Sequence, residues 1–332
     1  MGLTPRGRWI GPLFAVLGVF GFSVKAILIK LAYGWHPIDA VTLLALRMLF
    51  SAPFFVAMAW WSSRREGARP LSRADWKGVV ALGFIGYYLA SLLDFMGLAY
   101  ISASLERLVL FLYPTMVVVL SALALRQRIT RRALLALLLS YAGIALVFVS
   151  DLEDARDAAA LWTGSALVFG SAGLYATYLV AAGGVIARIG SMRFTSYAML
   201  ASTVFVLLQF AATRDVALLR VPAPVYALSL AMAVVATVLP TWLIAEAIDR
   251  IGANSSSLIG SLGPVFTIGL GVAILGEPVH AIQLAGAALV LVGVMLVTLR
   301  PRRGRALPRV PSPLPTPDPT GATSRAAASS ES

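Results

Sequence analysis

Long apolar runs alternate with short polar stretches along almost the whole chain. Windows of the length that crosses hydrocarbon as a helix, about 20 residues, fall first at Trp9–Lys30, Ile38–Trp61, Trp76–Ala99, Ser104–Leu125 and Ala133–Ser150. A second set falls at Leu161–Gly184, Phe194–Thr213, Pro224–Ala247, Ser255–Leu275 and Ala281–Leu299. That criterion gives about ten spans. The first run follows Arg6 and Arg8, as the core of a signal peptide would. It is too long for one, carries Lys25 and lacks a small-residue cleavage site, so it reads as a true span. Beyond Arg300 the chain turns into Pro-Arg-Arg-Gly-Arg and then a segment rich in Pro, Ser, Thr and Ala, a composition that predicts a disordered basic tail over 300–332.

Composition makes the pattern a membrane pattern. Of 332 residues, 59% are hydrophobic and only 13% charged, and the mean hydropathy is +0.85. A water-soluble domain cannot hide that much apolar surface, whereas a bilayer accepts it as solvent. The absence of cysteine excludes disulfides and thiolate metal sites. The two histidines, His36 and His280, are far apart in sequence, so neither a nucleophile with its base nor a metal cluster can be assembled. No catalytic residue, metal or cofactor is expected, and the fold class is all-α membrane protein.

The net charge of +12 is topological information. Basic residues precede the first span (Arg6, Arg8) and follow the second (Arg64, Arg65, Arg69, Arg73, Lys77) and fourth (Arg126, Arg128, Arg131, Arg132). They also follow the sixth (Arg188, Arg193), the eighth (Arg250) and the tenth (Arg300 to Arg309). The alternate loops collect Asp39, Asp151, Glu153, Asp154, Asp157, Asp215 and Glu277 instead. Cytoplasmic loops carry the basic excess, so both termini are expected in the cytoplasm of a bacterial inner membrane. No basic stretch is interleaved with exposed aromatics in a soluble unit, which argues against a nucleic-acid partner.

The chain also repeats itself. Pro264 lies 150 residues after Pro114 (264 − 114), and the same shift pairs Ile101 with Ile251, Ala103 with Ala253, Gly143 with Gly293 and Val147 with Val297. Ser104 meets Asn254, two good N-cap residues at equivalent helix starts. Five spans per half is an odd number, so the second half must enter the membrane upside down. Inverted repeats are typical of alternating-access transporters, whose substrate site lies between the halves near the midplane. The predicted organisation is a cytoplasmic N-terminus (1–8), a first five-helix repeat (9–150), an acidic external linker (151–160), a second repeat (161–299) and the tail (300–332).

The polar turn Ile101-Ser-Ala-Ser104, the apolar helix that follows it with Pro114, and the pair Gly276-Glu277 resemble the EamA-type family of the drug/metabolite transporter superfamily. The resemblance covers roughly Trp9 to Leu299. It implies a bundle of ten helices in two inverted five-helix repeats that moves small metabolites, often outward. Two places depart from the family pattern. Arg126-Gln127-Arg128 stands where Gly-Glu is usual in the first half, and the charged pair Glu106-Arg107 stands where the second half has Ser256-Ser257.

Charges within spans are costly, about 2.5–3.5 kcal/mol each at a helix centre on insertion scales, so each marks a candidate site residue. The set is Lys25, Arg47, Asp94, Glu106 and Arg107, all in the outer halves of their spans on the topology above. Their clustering at one depth suggests a shared polar cavity. The second-repeat equivalents are Tyr175, Tyr197, Ile244, Ser256 and Ser257, so the charges belong to one half alone. Asp94 reads either as a structural partner of Lys25 or Arg47 or as a proton carrier. Glu106 reads as a helix-start residue favoured by the dipole or as a site residue. Arg107 reads as the partner of a carboxylate or of the substrate, and Tyr113 and Tyr175 as lining a path. Pro114, Pro240 and Pro264 read as helix breaks, with static kink and hinge both open. The small-residue stripe Ala133, Ala136, Ser140 and Gly143, matched by Gly286 and Gly293, reads as close helix packing.

These readings combine into a secondary transporter, expected to export small metabolites such as amino acids or organic anions by alternating access. Its expected partners are a small-molecule solute, the lipid bilayer, protons as a coupling ion and a second copy in a homodimer. A lipid-phosphate flippase of similar fold stays open as an alternative. So does a non-transporting membrane subunit or intramembrane enzyme.

Overall fold

The computed structural model describes residues 9–64, 70–124, 130–154 and 157–298, apart from the side chains of Asp154, Asp249, Ala253, Asn254, Ser257 and Val297. Arg126-Gln127-Arg128 and the tail from Arg300 lie outside these residues. All regular structure among the described residues is helical. Helices satisfy every backbone group within one segment, which hydrocarbon demands and water does not.

The first half runs α1 (Ile10–Trp35), α2 (Ala40–Ser63), α3 (Arg73–Leu98), α4 (Ala103–Leu110), α5 (Tyr113–Ala124) and α6 (Arg131–Asp154). The second runs α7 (Ala158–Ile189), α8 (Ser191–Thr213), α9 (Ala223–Ala233), α10 (Leu239–Gly260), α11 (Gly263–Leu270) and α12 (Ala281–Thr298). Taken across their breaks, 9 of these segments among the described residues are long and apolar enough to cross a membrane, and Ala281–Leu296 is a shorter apolar helix. Exposed tryptophans sit near segment ends, at Trp9, Trp35, Trp60, Trp61, Trp76 and Trp162. That is the girdle expected where apolar rings meet the headgroup layer.

The helix starts follow local chemistry. Asp39 accepts from the Val41 and Thr42 N–H groups, Ser72 and Asp75 form a reciprocal capping box, and Asp157 accepts from Ala159 and Ala160. The repeat places the N-cap of α4 at Ser104; in the structure the cap is Ser102, whose Oγ accepts from Leu105. Ser104 is displaced from that role because its N–H and hydroxyl are both engaged by Glu277. Gly252 (φ 80°) turns the chain inside α10, and Gly276 (φ 66°) ends the segment after α11. Both adopt the left-handed region that glycine enters without a Cβ penalty.

The prolines stand beside helix breaks. Pro114 and Pro264 do not interrupt continuous helices: α4 stops at Leu110 and α10 at Gly260, and each proline is the second residue of the helix that restarts. There its missing N–H is one the helix would leave unpaired anyway. Just past the first break, Thr115 Oγ1 and the Met116 N–H both donate to Leu112 O. Pro240 follows a π-helical turn at Val234–Val238, where Thr237 Oγ1 donates back to Met232 O. A second π-turn, Gly83–Leu89, widens α3 at the equivalent point of the other half. Pro53, inside α2, is a further helix proline.

Packing joins the halves helix by helix. α2 lies along α8, α6 along α12, α1 along α10 and α11, and α3 along α7. The small-residue stripe makes the α6–α12 contact: a Cβ on Gly143 would stand 2.5 Å from Gly286 O, and one on Gly293 2.7 Å from Ala136 O. Backbones approach this closely only where side chains are absent. At one end of the bundle, polar groups tie the halves together. Arg214 pairs with Asp39 at 2.9 Å, Gln283 donates to Asp151, and Glu277 accepts from the Ala103 N–H at 2.7 Å. At the other end, Arg188 pairs with Asp75 at 2.8 Å and Ser63 bonds Tyr197 at 2.9 Å.

Candidate functional site

Between the halves lies a cavity of about 500 Å³. It runs from Lys25 and Asp94, near the end tied by Asp39 and Glu277, toward Ile248 and Thr298 at the opposite end. Residues from both halves of the chain line it. Of the second-half equivalents of the intramembrane charges, Tyr175, Ile244 and Ser256 face the same space, while Tyr197 packs against Trp76 and Ser63 instead.

Three helices bring the first polar group together. Lys25 of α1 donates to Asp94 Oδ2 of α3 at 2.5 Å, and its Nζ lies 3.5 Å from Glu106 Oε1 of α4. Asp94 is 2% and Glu106 0% exposed. The glycines that precede Lys25 let α1 approach the other half. A Cβ on Gly18 would come within 2.8 Å of Ile244, and one on Gly21 within 2.5 Å of Pro240. Lys25 is thereby held over the cavity rather than at the membrane surface. Lys30, one turn and a half further, donates to the Leu98 and Ile101 carbonyls.

Glu106 does not cap its own helix. The first-turn N–H groups of α4 are already used, Ala103 and Ser104 by Glu277 and Leu105 by Ser102. The glutamate turns inward to Lys25 instead. Glu277 is a residue the sequence reading left in an outer loop. Its signal was the Gly276-Glu277 pair: the glycine supplies the left-handed turn, and the glutamate is thrown back over Gly271 onto the positive end of α4.

The two guanidinium groups are different. Arg47 is 5% exposed, stands 4.8 Å from the Phe95 ring centre and faces Asp94, yet its Nε has no hydrogen-bond partner. Arg107 lies against Gly263, where a Cβ would be 2.6 Å from its Nη2, and its Nε is likewise unpartnered. Both line the cavity, and among the described residues neither has an ion-pair partner within 4 Å. Burying a guanidinium without a carboxylate is costly. Each guanidinium thus keeps an Nε donor without a partner beside the cavity.

Tyrosines make the wall beside them. Tyr113 meets Tyr175 edge to face at 5.1 Å, Tyr175 stacks on Tyr178 at 5.6 Å, and the Tyr87 and Tyr178 hydroxyls are 2.9 Å apart. Gly86 allows this, because a Cβ there would fall 2.4 Å from the Tyr178 ring. Neutral hydroxyls from Ser91, Thr195, Thr241 and Ser256 complete the lining. Of these, Thr195 and Thr241 were not singled out by the sequence, because a hydroxyl in an apolar helix is usually satisfied by its own backbone. Trp242 packs on Phe14, away from the lining.

The comparisons agree with this architecture. A family model described as the EamA-like transporter family matches residues 9–149 and 162–299. The "Uncharacterized transporter YcbK" of Bacillus subtilis (strain 168) is 33% identical over 83% of this chain and 88% of its own length. The "Uncharacterized transporter YyaM" of the same organism is 26% identical over 65% of this chain and 71% of its own. A crystal structure of a protein with 18% identity superposes with a TM-score of 0.59 over 90% of this chain and 100% of that one, a likeness of fold. With the family model covering nearly every described helix, this chain belongs to the EamA-like transporter family.

Proposed function

We propose that the protein is a secondary transporter that exports small anionic or zwitterionic metabolites, amino acids or organic acids, by alternating access of one central cavity. The observation that carries the reading is a pair of guanidiniums, buried Arg47 and half-buried Arg107, each with an Nε that meets no hydrogen-bond partner, lining a cavity large enough for such a solute. A carboxylate is the group that satisfies their fixed fork of donors. The tyrosines beside them offer a flat apolar surface to the rest of the molecule.

Two inverted halves of five spans each, 9–150 and 161–299, account for the packing. Exchanging the halves maps the α1–α10 contact onto the α7–α3 contact, and maps α2–α8 and α6–α12 onto themselves. The same exchange maps the break before Pro114 onto that before Pro264, and the π-turn at Gly83–Leu89 onto that at Val234–Val238, while a third at Gly271–Leu275 has no counterpart among the described residues. The cavity reaches the end where Ile248 and Thr298 lie, while the opposite end is bolted by Asp39–Arg214 and Glu277. With both termini cytoplasmic, this arrangement is the inward-open state of a plasma-membrane exporter.

Comparison of solute pools inside and outside cells with and without the protein identifies the solute, and counterflow in proteoliposomes then tests it directly. Wild type is expected to exchange labelled solute, with Arg107→Gln losing at least tenfold in apparent affinity. Absence of counterflow for every anionic or zwitterionic solute would sink the proposal.

A further inference from the structure

The cluster at the closed end of the cavity holds one carboxyl more than its ammonium serves. Lys25 donates to Asp94 Oδ2 at 2.5 Å but stays 3.5 Å from Glu106 Oε1, beyond a normal hydrogen bond. Asp94 Oδ1 and both Glu106 oxygens are buried and meet no donor side chain or backbone N–H. Both carboxyls stand within 3.5 Å of the single Lys25 Nζ. Two buried carboxyls that share one ammonium are not both ionised. One proton turns one of them from an acceptor into a donor.

We propose that Glu106 and Asp94 form a proton-binding site in which one exchangeable proton is carried on Glu106 and reaches the cavity through Asp94. The proposal rests on the transporter reading above only for the proton's role as coupling ion. Loaded, the Glu106 O–H donates to Asp94 Oδ1 while the Lys25 ammonium donates to Oδ2. On release the Glu106 O–H bond breaks as Asp94 Oδ1 takes the proton, and Asp94 passes it to water in the cavity that it lines. Two carboxylates then share Lys25, which needs to move only far enough to close its 3.5 Å gap to Glu106. Glu106 carries the proton because the Lys25 ammonium stands 2.5 Å from Asp94 but 3.5 Å from Glu106.

Other titratable groups stand around the pair. Arg107 follows Glu106 on its own helix, Glu277 sits on the start of that helix, α1 brings Lys30 to Leu98 and Ile101 and Tyr33 to Phe95, Arg47 lies beyond Asp94 on α2, and α11 carries no ionisable residue. Of the other helices packed on α4, α6 brings Asp151 to Ser102 and α7 brings Tyr175 to Tyr113. A solute anion on Arg107 adds a negative charge beside the pair and so favours keeping the proton. Solute and proton occupancy are thereby linked through space.

Infrared spectroscopy of the full chain in lipid, titrated with pH and exchanged into deuterium oxide, tests the site. Wild type should show a buried carboxylic-acid C=O band that disappears reversibly as pH rises. Glu106→Gln and Asp94→Asn should each abolish it, because either leaves one carboxyl for one ammonium, and agreement between them guards against misfolding of one. Lys25→Gln should keep the band, and Glu106→Asp should keep it with a changed frequency. A wild type without the band, or a band that survives Glu106→Gln, would overturn the proposal. Failure to find a transported solute leaves this spectrum untouched, so the two readings fail separately.

Discussion

At the scale of single residues, the site is built as much by glycines as by charges. Gly263 gives Arg107 its place, since an added Cβ would intrude to 2.6 Å of the guanidinium, whereas Gly269 has open space around it. Gly263→Ala should therefore weaken solute binding in the same direction as Arg107→Gln, and Gly269→Ala should leave it unchanged. A lost charge-assisted hydrogen bond of about 2 kcal/mol corresponds to roughly thirtyfold in apparent affinity, which counterflow kinetics can read. Glu277 is the second residue whose role is sharply testable. Its carboxylate takes two backbone N–H groups and a hydroxyl at the start of α4. Glu277→Ala should lower stability by about 1–2 kcal/mol, the scale of a lost cap with its dipole contribution, seen as earlier thermal unfolding in detergent.

At the scale of elements, much was legible because the bilayer allows so few solutions. Apolar runs, charge alternation between loops and the 150-residue shift from Pro114 to Pro264 follow from local constraints that a sequence carries openly. The stripe of Ala136, Ser140 and Gly143 against Gly286 and Gly293 was readable for the same reason, since small side chains mean close backbones. Gly293→Val is expected to overpack this contact, costing about 1–3 kcal/mol, measurable as loss of monodisperse protein on heating. Other features were not legible. The cap at Ser102 in place of Ser104 depends on Glu277, more than 170 residues away, reaching α4 first. The π-turns at Gly83–Leu89 and Val234–Val238 come from packing across the halves, as at Gly86 against Tyr178. Which of the five charges pair was also beyond the sequence, because Lys25 had Asp94, Glu106 and geometry to choose among.

At the scale of the whole molecule, the two ends of the bundle differ in how they are held. Burial would push the Asp39 carboxyl up, but the hydrogen bonds from Thr42 and Arg214 outweigh it and hold it below the ordinary carboxylate value. A depressed carboxyl stabilises the fold above its unfolded value, near 4, and the contribution is lost as pH falls through the depressed value. Closure of this end should accordingly weaken on acidification below about 4 and in Asp39→Asn at any pH. Cross-linking of cysteines placed at Thr213 and Pro37 would report it, in a chain that has no cysteine of its own.

The cavity also has an electrical character. Lys25, Arg47 and Arg107 outnumber Asp94 and Glu106 whether or not the carboxyl pair holds a proton, so the site is cationic and becomes less so with an anion bound. A membrane potential acts on such an object at about 2.3 kcal/mol per charge per 100 mV, for a charge that crosses the whole field. In the proposed cycle, an interior-negative voltage therefore draws the cationic site toward the cytoplasm and resists its outward passage without solute. Clamping the voltage across proteoliposomes should speed or slow the resetting step of that cycle according to sign, so that the resting potential would help to drive it.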